Sequence, residues 1–230
     1  MKIGNLKISE NSKPIIIAEI AQSHCGSYKK IIRYIDKLSL TGVDVIKFQT
    51  HYTIEESTLD EPFRKKISKK YKNRFEYWKK MEFSEKEWKK IKKYCEKKNV
   101  VFLSSPFSIK AAKMLKRIGM NAWKIGSGEF FSKNLIKYIS KFQQTMLLST
   151  GLANYNDINK TLRFLKPKNK KIILLQCTSE YPSKISRVGV NIVKEFQEKY
   201  NLFVGLSDHS GSVIPSINAL NLGAKVVEVH

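Results

Sequence analysis

The sequence predicts an α/β fold, a parallel eight-stranded (β/α)8 TIM barrel, and two observations favour it. Eight short apolar runs divide the chain at regular intervals, and helix-type patterns separate most of them. Strands that alternate with helices form a parallel sheet, and eight such units close into a barrel. Most runs also end in polar or charged residues, at the strand ends where barrels of this type carry their chemistry. The runs cover residues 15–20, 43–49, 100–105, 122–127, 145–150, 172–178, 203–208 and 225–230.

One domain accounts for the whole chain, residues 1–230, although a full barrel typically needs about 250 residues. The eighth run ends at the last residue, and no eighth helix follows it. We therefore interpret the chain as a catalytic barrel that is truncated at its C-terminus.

The remaining elements follow in chain order. Residues 1–13 are predicted to form a short ribbon that closes the bottom of the barrel. A first helix is predicted over 28–40, with Gly42 just beyond its end. Ser84 and Glu87 have the spacing of a capping box, which opens another helix. Later helices are predicted after Ser108, over about 132–141, 155–165 and 187–199, and from Pro215 to Gly223.

Residues 51–83 fit neither a strand nor a single helix and form the longest insertion, placed after strand 2 on the catalytic face. Long loops in that position commonly serve as lids or binding loops. Its aromatic residues predict that the insertion packs down on the barrel; they are Tyr71, Phe75, Tyr77, Trp78 and Phe83.

The formal net charge is +23, and residues 64–98 alone hold 16 basic and 5 acidic residues. A nucleic-acid-binding protein is one interpretation of this charge. However, only 6 of the 43 basic residues are arginine, the residue that base readout favours. Lysine on solvated helix faces explains the composition better, so we expect no specific nucleic-acid partner.

Three cysteines, without a Cys-x-x-Cys pair, argue against a disulfide framework and favour a reducing cytoplasm. No apolar run approaches the roughly 18 residues of a membrane-spanning helix, so no membrane association is expected. Cys177 is predicted to be a packing or lining residue, because its own loop offers no histidine that could activate it.

Two kinds of side chain at the strand ends could carry chemistry. His209 and His230 end neighbouring strands, so their imidazoles could share a transition metal; alternatively, His209 caps a helix and His230 is only a chain end. Lys47 and Lys124 interrupt apolar strands, and a buried lysine needs an anion nearby. A phosphate or carboxylate ligand would supply that anion, and salt bridges to Glu19 or Glu129 are the alternative. The Ser127-Gly128 and Ser149-Thr150-Gly151 segments add hydroxyls at the same mouth.

Together these motifs resemble the sialic acid synthase family, which includes the legionaminic and pseudaminic acid synthases. The resemblance covers nearly the whole chain, and its strength lies in the order and spacing of many short pieces. The pieces are Ala18-Glu19-Ile20, His24-x-Gly26, Val45 to Gln49, Ser104 to Phe107, Trp123 to Glu129, Leu148 to Gly151, Gln176 to Pro182, Gly205 to Ser210 and Gly223 to His230.

The resemblance implies a transferase that condenses phosphoenolpyruvate with an N-acyl amino sugar, such as N-acetylmannosamine, to give a nine-carbon 2-keto sugar acid and phosphate. It implies a divalent metal, Mn²⁺ or Mg²⁺, on His209 and His230. Glu19, Glu129 and Lys124 are implied as catalytic groups. The phosphoenolpyruvate cradle is implied at Lys47, Ser105, Lys124, Ser127, Ser149, Ser179 and Ser207, and the sugar contacts at Gln49 and Tyr181.

The family continues beyond the point that matches His230, with an eighth helix and a small antifreeze-like domain that reaches the partner's sugar site in a homodimer. The resemblance therefore implies a homodimer for the full-length form. Two alternatives stay open at this point: an inactive barrel fragment, and a synthase for legionaminic or pseudaminic acid in place of N-acetylneuraminate. A 3-deoxy-heptulosonate-type synthase shares the phosphoenolpyruvate chemistry but fits the ordered motifs poorly.

Overall fold

A nearly closed ring of eight parallel strands forms the centre of the protein. The computed structural model describes residues 1–63 and 70–230. Strands are numbered in chain order, and β1 and β2 form the N-terminal hairpin described below. The strands of the ring are β3 (Ile15–Ala21), β4 (Val45–Thr50), β5 (Val101–Pro106), β6 (Ala122–Ile125), β7 (Thr145–Ser149), β8 (Ile172–Cys177), β9 (Phe203–Asp208) and β10 (Val226–Val229). Their order around the ring is β5-β4-β3-β10-β9-β8-β7-β6, and β5 and β6 also contact each other. The predicted (β/α)8 barrel is confirmed.

Eight helices lie along the chain between these strands in the described residues. They are α1 (Tyr28–Leu38), α2 (Arg74–Met81), α3 (Glu85–Lys97), α4 (Ile109–Arg117), α5 (Lys133–Ser140), α6 (Tyr155–Leu165), α7 (Ile192–Tyr200) and α8 (Val213–Asn221). Most carry apolar residues at helical spacing, and the strands between them are buried on both faces, as parallel strands covered by helices must be. None of these helices, within residues 1–63 and 70–230, combines the length and the apolar character that crossing a bilayer requires.

The N-terminal ribbon is present as the antiparallel hairpin of β1 (Lys2–Ile3) and β2 (Leu6–Lys7). The Thr145 hydroxyl, at the start of β7, donates to the Lys2 carbonyl at 2.6 Å. The Gly4 amide donates to the Asn121 side chain, just before β6, at 3.2 Å. Because both contacts are at the N-terminal ends of strands, the hairpin covers the bottom of the barrel, as predicted.

Most predicted helices agree with the structure to within two residues, but one does not. A helix was expected over 187–199, whereas α7 begins at Ile192. Gly189 has φ of +68°, a left-handed conformation that interrupts helical geometry. The residues before it form a short 3-10 turn, Ile185–Arg187, so the late start of α7 has a local backbone cause.

The segment after β4 contains a 3-10 turn (Thr53–Glu55) and α2. Residues 64–69, which belong to the predicted insertion and to the basic stretch 64–98, lie outside the described residues. A hydrogen bond links the turn to the C-terminal end of α2: Thr53 N–H donates to Glu82 Oε1 at 2.5 Å. A Cβ on Gly26, in the loop after β3, would come within 1.9 Å of the Lys80 carbonyl oxygen. The described part of the segment therefore packs tightly against the barrel rim, as its aromatic residues predicted.

The predicted capping box of α3 is present: Ser84 and Glu87 satisfy each other's backbone amides. Replacing Ser84 by alanine removes a hydrogen-bond acceptor for the first helical turn, which we expect to lower the free energy of unfolding by about 1 kcal/mol. Urea unfolding followed by circular dichroism measures this. An unchanged unfolding midpoint would contradict the assigned role.

Candidate active site

A cavity of about 300 Å³ opens at the C-terminal ends of the barrel strands. Its walls bring together twelve of the residues singled out from the sequence: Lys47, Gln49, Ser105, Lys124, Ser127, Glu129, Ser149, Ser179, Tyr181, Ser207, His209 and His230. Glu19 does not line the cavity, but it is buried and pairs with Lys47, which does. The register explains this pair, since Glu19 on β3 lies directly opposite Lys47 on β4.

Both buried lysines already have carboxylate partners. Lys47 Nζ forms an ion pair with Glu19 Oε2 and lies 3.8 Å from Glu228 Oε1, and Lys124 Nζ lies 3.2 Å from the same Glu228 oxygen. The structure therefore contains the salt bridges that were the alternative to a bound anion, although Lys124 pairs with Glu228 and not with Glu129. The lysines do not by themselves require a ligand anion.

Glu228 is the residue at the centre of this network. Its carboxylate accepts a hydrogen bond from Ser207 Oγ at 3.0 Å, across the β9–β10 register. Burial raises the pKa of Glu228, but the Lys124 and Lys47 ammonium groups outweigh it and hold the pKa at about 2. Burial likewise lowers the pKa of Lys47, and Glu19 and Glu228 together raise it above its ordinary value. Glu228 and Lys47 therefore stay charged, each stabilised by its oppositely charged neighbours.

Serine hydroxyls form a cradle beside Gly151 at the cavity wall. A Cβ built on Gly151 would lie 2.5 Å from Ser179 Oγ and 2.9 Å from Ser127 Oγ. The missing side chain therefore creates the space where these hydroxyls converge. The buried Ser149 Oγ has no hydrogen-bond partner in residues 1–63 and 70–230. An unpaired buried hydroxyl beside this cradle is suited to donate a hydrogen bond to a ligand oxygen.

The two strand-end histidines meet at the cavity rim, with ring centroids 4.8 Å apart. Both turn Nε2 toward one point, the Tyr181 hydroxyl, which is 2.8 Å from His209 and 3.4 Å from His230. His209 Nδ1–H donates to the Thr178 carbonyl at 2.7 Å, which leaves the lone pair on Nε2. Burial lowers the pKa of His230 to about 4, so its ring is neutral at pH 7.

This arrangement fits a metal in its donor chemistry. Two imidazole Nε2 atoms face one point, and the ring of His209 is oriented by a backbone carbonyl, as metal-binding histidines commonly are. The described residues contain no group of three or more His, Cys, Asp or Glu side chains that could hold a metal.

Glu129 differs from the other carboxylates of the site. Within the described part of the chain it forms no ion pair, and burial raises its pKa to about 7. A carboxyl group with that pKa exchanges its proton at neutral pH, which suits it to acid–base chemistry. Glu19 and Glu228 are held in ion pairs with lysine and are less suited to that role.

Two features of the site were missed from the sequence. Glu228 was not singled out, although a charged residue in an apolar strand is the same signal that identified Lys47. Cys177 lines the cavity as predicted, but its partner is His209 Nε2 from the next strand, 4.0 Å away. Burial raises the pKa of Cys177, yet the hydrogen bonds to His209 and Ser127 lower it below the ordinary value.

A (β/α)8 barrel with a polar cavity at its strand C-terminal ends has the layout of a barrel enzyme. The chain belongs to the NeuB family, whose model matches residues 34–230. The N,N'-diacetyllegionaminic acid synthase of Campylobacter jejuni is 31% identical over 95% of this chain and 67% of its own. The pseudaminic acid synthase of the same organism is 32% identical over 100% of this chain and 68% of its own.

A solved structure agrees with this assignment. The N-acetylneuraminic acid synthetase of Leptospira borgpetersenii, crystallised in complex with citrate, superposes with a TM-score of 0.89 and 29% identity. The match covers 100% of this chain and 77% of that one. The chain spans about two thirds of the length of the curated relatives that it matches, with shares between 61 and 68%.

Proposed function

We propose that the protein condenses phosphoenolpyruvate with an N-acyl amino sugar to form a nine-carbon 2-keto sugar acid, releasing phosphate. The observation that carries this proposal is that one cavity combines two lysines, a cradle of serine hydroxyls and two convergent imidazoles. These groups suit a phosphorylated carboxylic acid on one wall and an aldehyde at the rim. Relatives named as sialic, legionaminic and pseudaminic acid synthases support the same reaction class.

The proposed condensation forms one C–C bond and breaks the C–O bond to phosphate. Carbon 3 of phosphoenolpyruvate forms a C–C bond to the aldehyde carbon of the open-chain sugar, and the aldehyde oxygen gains a proton. Water adds to the resulting oxocarbenium carbon and loses a proton. The C–O bond to phosphate then breaks, leaving the 2-keto group. The sum is phosphoenolpyruvate, sugar and water giving sugar acid and phosphate.

Each wall of the cavity has a role in this proposal. Lys47 and Lys124 bind the anionic groups of phosphoenolpyruvate and keep their geometry through Glu19 and Glu228. The hydroxyls of Ser105, Ser127, Ser149, Ser179 and Ser207 complete the cradle. Tyr181 and Gln49 contact the sugar. His209 and His230 would hold a divalent cation, Mn²⁺ or Mg²⁺, which when bound supplies Lewis-acid polarisation of the carbonyl oxygen.

The test uses the full-length protein, phosphoenolpyruvate, Mn²⁺ and a panel of N-acyl amino sugars. The panel contains N-acetylmannosamine and 2,4-diacetamido-2,4,6-trideoxyhexoses, which represent the substrates of the different branches of the family. Phosphate release that depends on one of these sugars, with a 2-keto acid of the expected mass, supports the proposal. Phosphate release that is independent of every sugar, or none at all, would contradict it.

Filling the hydroxyl cradle should weaken phosphoenolpyruvate binding. In Gly151→Ala the added methyl would stand within 3 Å of two serine hydroxyls that are proposed to meet phosphate. Loss of one or two hydrogen bonds to a charged group corresponds to a KM for phosphoenolpyruvate that is raised about 10- to 100-fold. Steady-state kinetics at saturating sugar measures this, and an unchanged KM would show that phosphate binds elsewhere.

Glu129 should produce a pH dependence near neutrality. Its pKa of about 7 means that the carboxylate, the form able to accept a proton from the attacking water, predominates only above that pH. We therefore expect kcat/KM to rise as pH increases through about 7, and Glu129→Gln to lower the rate and abolish this rise. If the Gln variant kept the same acidic limb, the titrating group would be another residue.

A further inference from the structure

His51 is a buried imidazole that the proposed reaction does not use. It follows β4 directly, and its ring lies between Trp78 of α2 and Phe107 after β5, with ring centroids 4.1 Å from each. Its Nδ1–H donates to Glu56 Oε2 at 2.6 Å. Two aromatic faces and a carboxylate therefore fix both the plane and the rotation of this ring.

The other ring nitrogen faces a proposed sugar contact. Gln49 Oε1 accepts a hydrogen bond from Gln22 Nε2 at 3.0 Å and lies 3.4 Å from His51 Nε2. The His51 ring therefore lies between two acceptor oxygens, the carboxylate of Glu56 and the side-chain amide of Gln49. Gln49 lines the cavity, and its Nε2 has no hydrogen-bond partner within residues 1–63 and 70–230. The amide oxygen is held by the protein, and the two N–H groups are left for a ligand.

We infer that His51 is a positioning residue: it fixes the Gln49 amide so that its N–H groups meet an acceptor oxygen of the amino sugar, and Glu56 holds His51 in that role. The inference rests on the proposed function, since it names what sets the affinity of the same site for its sugar. The segment after β4 would contribute to this positioning, because Glu56 and Trp78 belong to that segment and both contact the His51 ring.

A double-mutant cycle on the full-length protein tests this inference. His51→Asn keeps a donor near the Nδ1 position but has no group that reaches Gln49. We expect it to raise the KM for the amino sugar about tenfold, the effect of one lost hydrogen bond, while kcat and the KM for phosphoenolpyruvate change less than about threefold. Gln49→Ala should raise the sugar KM at least as much. The double variant should be no worse than Gln49→Ala alone, because His51 acts through Gln49.

A neighbouring pair of glutamates supplies a matched control. Glu56→Gln weakens the charge-assisted hydrogen bond to His51 and should raise the sugar KM severalfold. Glu55→Gln is the same change one residue earlier, where the carboxylate makes a surface contact with Lys110 at 3.7 Å, and it should leave the kinetics unchanged.

The outcomes separate the two proposals. An active wild-type protein in which His51→Asn leaves the sugar KM unchanged, or in which the two single effects multiply in the double variant, overturns the positioning role. A wild-type protein that turns over no amino sugar overturns the proposed function instead. Calorimetric titration of the wild type and the variants with the sugar then still reports whether His51 and Gln49 act as one unit in binding.

Discussion

Replacing Lys124 by methionine is expected to reduce kcat/KM for phosphoenolpyruvate by about 10²- to 10³-fold, because losing a buried, hydrogen-bonded charge that meets a bound anion costs about 3–4 kcal/mol of binding free energy. The lysine is buried at the cavity wall and lies 3.2 Å from Glu228. Methionine keeps the length and volume of the side chain but cannot compensate either Glu228 or an incoming phosphate. The loss should appear both in the KM for phosphoenolpyruvate and in kcat.

The same variant also tests the role of the carboxylate network. Without Lys124, Glu228 keeps only the more distant Lys47, at 3.8 Å, so its pKa should rise and thermal stability should fall at neutral pH. Lys160→Met, at an exposed position of α6, is the matched control and should change neither property. A folded Lys124→Met protein with kcat/KM within about threefold of wild type would remove Lys124 from the site.

The second large effect is expected at the histidine pair. His209→Ala removes one of the two imidazoles that face the Tyr181 hydroxyl, so a divalent cation would lose one of its two proposed histidine ligands. Lewis-acid catalysis typically contributes several kcal/mol, so we expect kcat to fall about 10³-fold or more. Chelation of the wild type should abolish activity reversibly, and added Mn²⁺ should restore it.

Binding measurements distinguish metal loss from general damage to the site. Calorimetric Mn²⁺ affinity should fall at least about tenfold in His209→Ala, in line with the loss of a metal ligand. Phosphoenolpyruvate binding without metal should stay close to wild type, because the lysines and serines are unchanged. Wild-type turnover that persists after exhaustive chelation would contradict a metal role for these histidines.

Much of the fold could be predicted from the sequence, because each strand of the barrel is a short apolar run and most helices show apolar residues at helical spacing. The exception is α2, which lies in the segment 51–83 that showed no such pattern. The boundaries of α6 follow from local signals alone, as its predicted range 155–165 shows. The start of α7 could not be predicted, because the left-handed conformation of Gly189 depends on the loop around it.

The site was only partly predictable, for a physical reason. Polarity at strand ends identified which residues face the cavity, but it could not say which charges pair across strands. That pairing depends on how the barrel closes, because Lys124 on β6 and Glu228 on β10 come from strands that are not hydrogen-bonded to each other. Among the described residues, Glu129 forms no ion pair. The Cys177–His209 contact and the His51 ring were missed for the same reason, since their partners come from other elements.

The central claim is that one cavity at the C-terminal ends of the strands holds both the phosphoenolpyruvate and the divalent cation. Crystals of the full-length protein soaked with Mn²⁺ and phosphoenolpyruvate, with data collected at the manganese absorption edge, test it most directly. We expect one anomalous peak, from a manganese ion bound by His209 and His230, with phosphoenolpyruvate between Lys47, Lys124 and the serine cradle. Manganese away from this histidine pair, or phosphoenolpyruvate bound only at the lysine-rich outer surface, would contradict it.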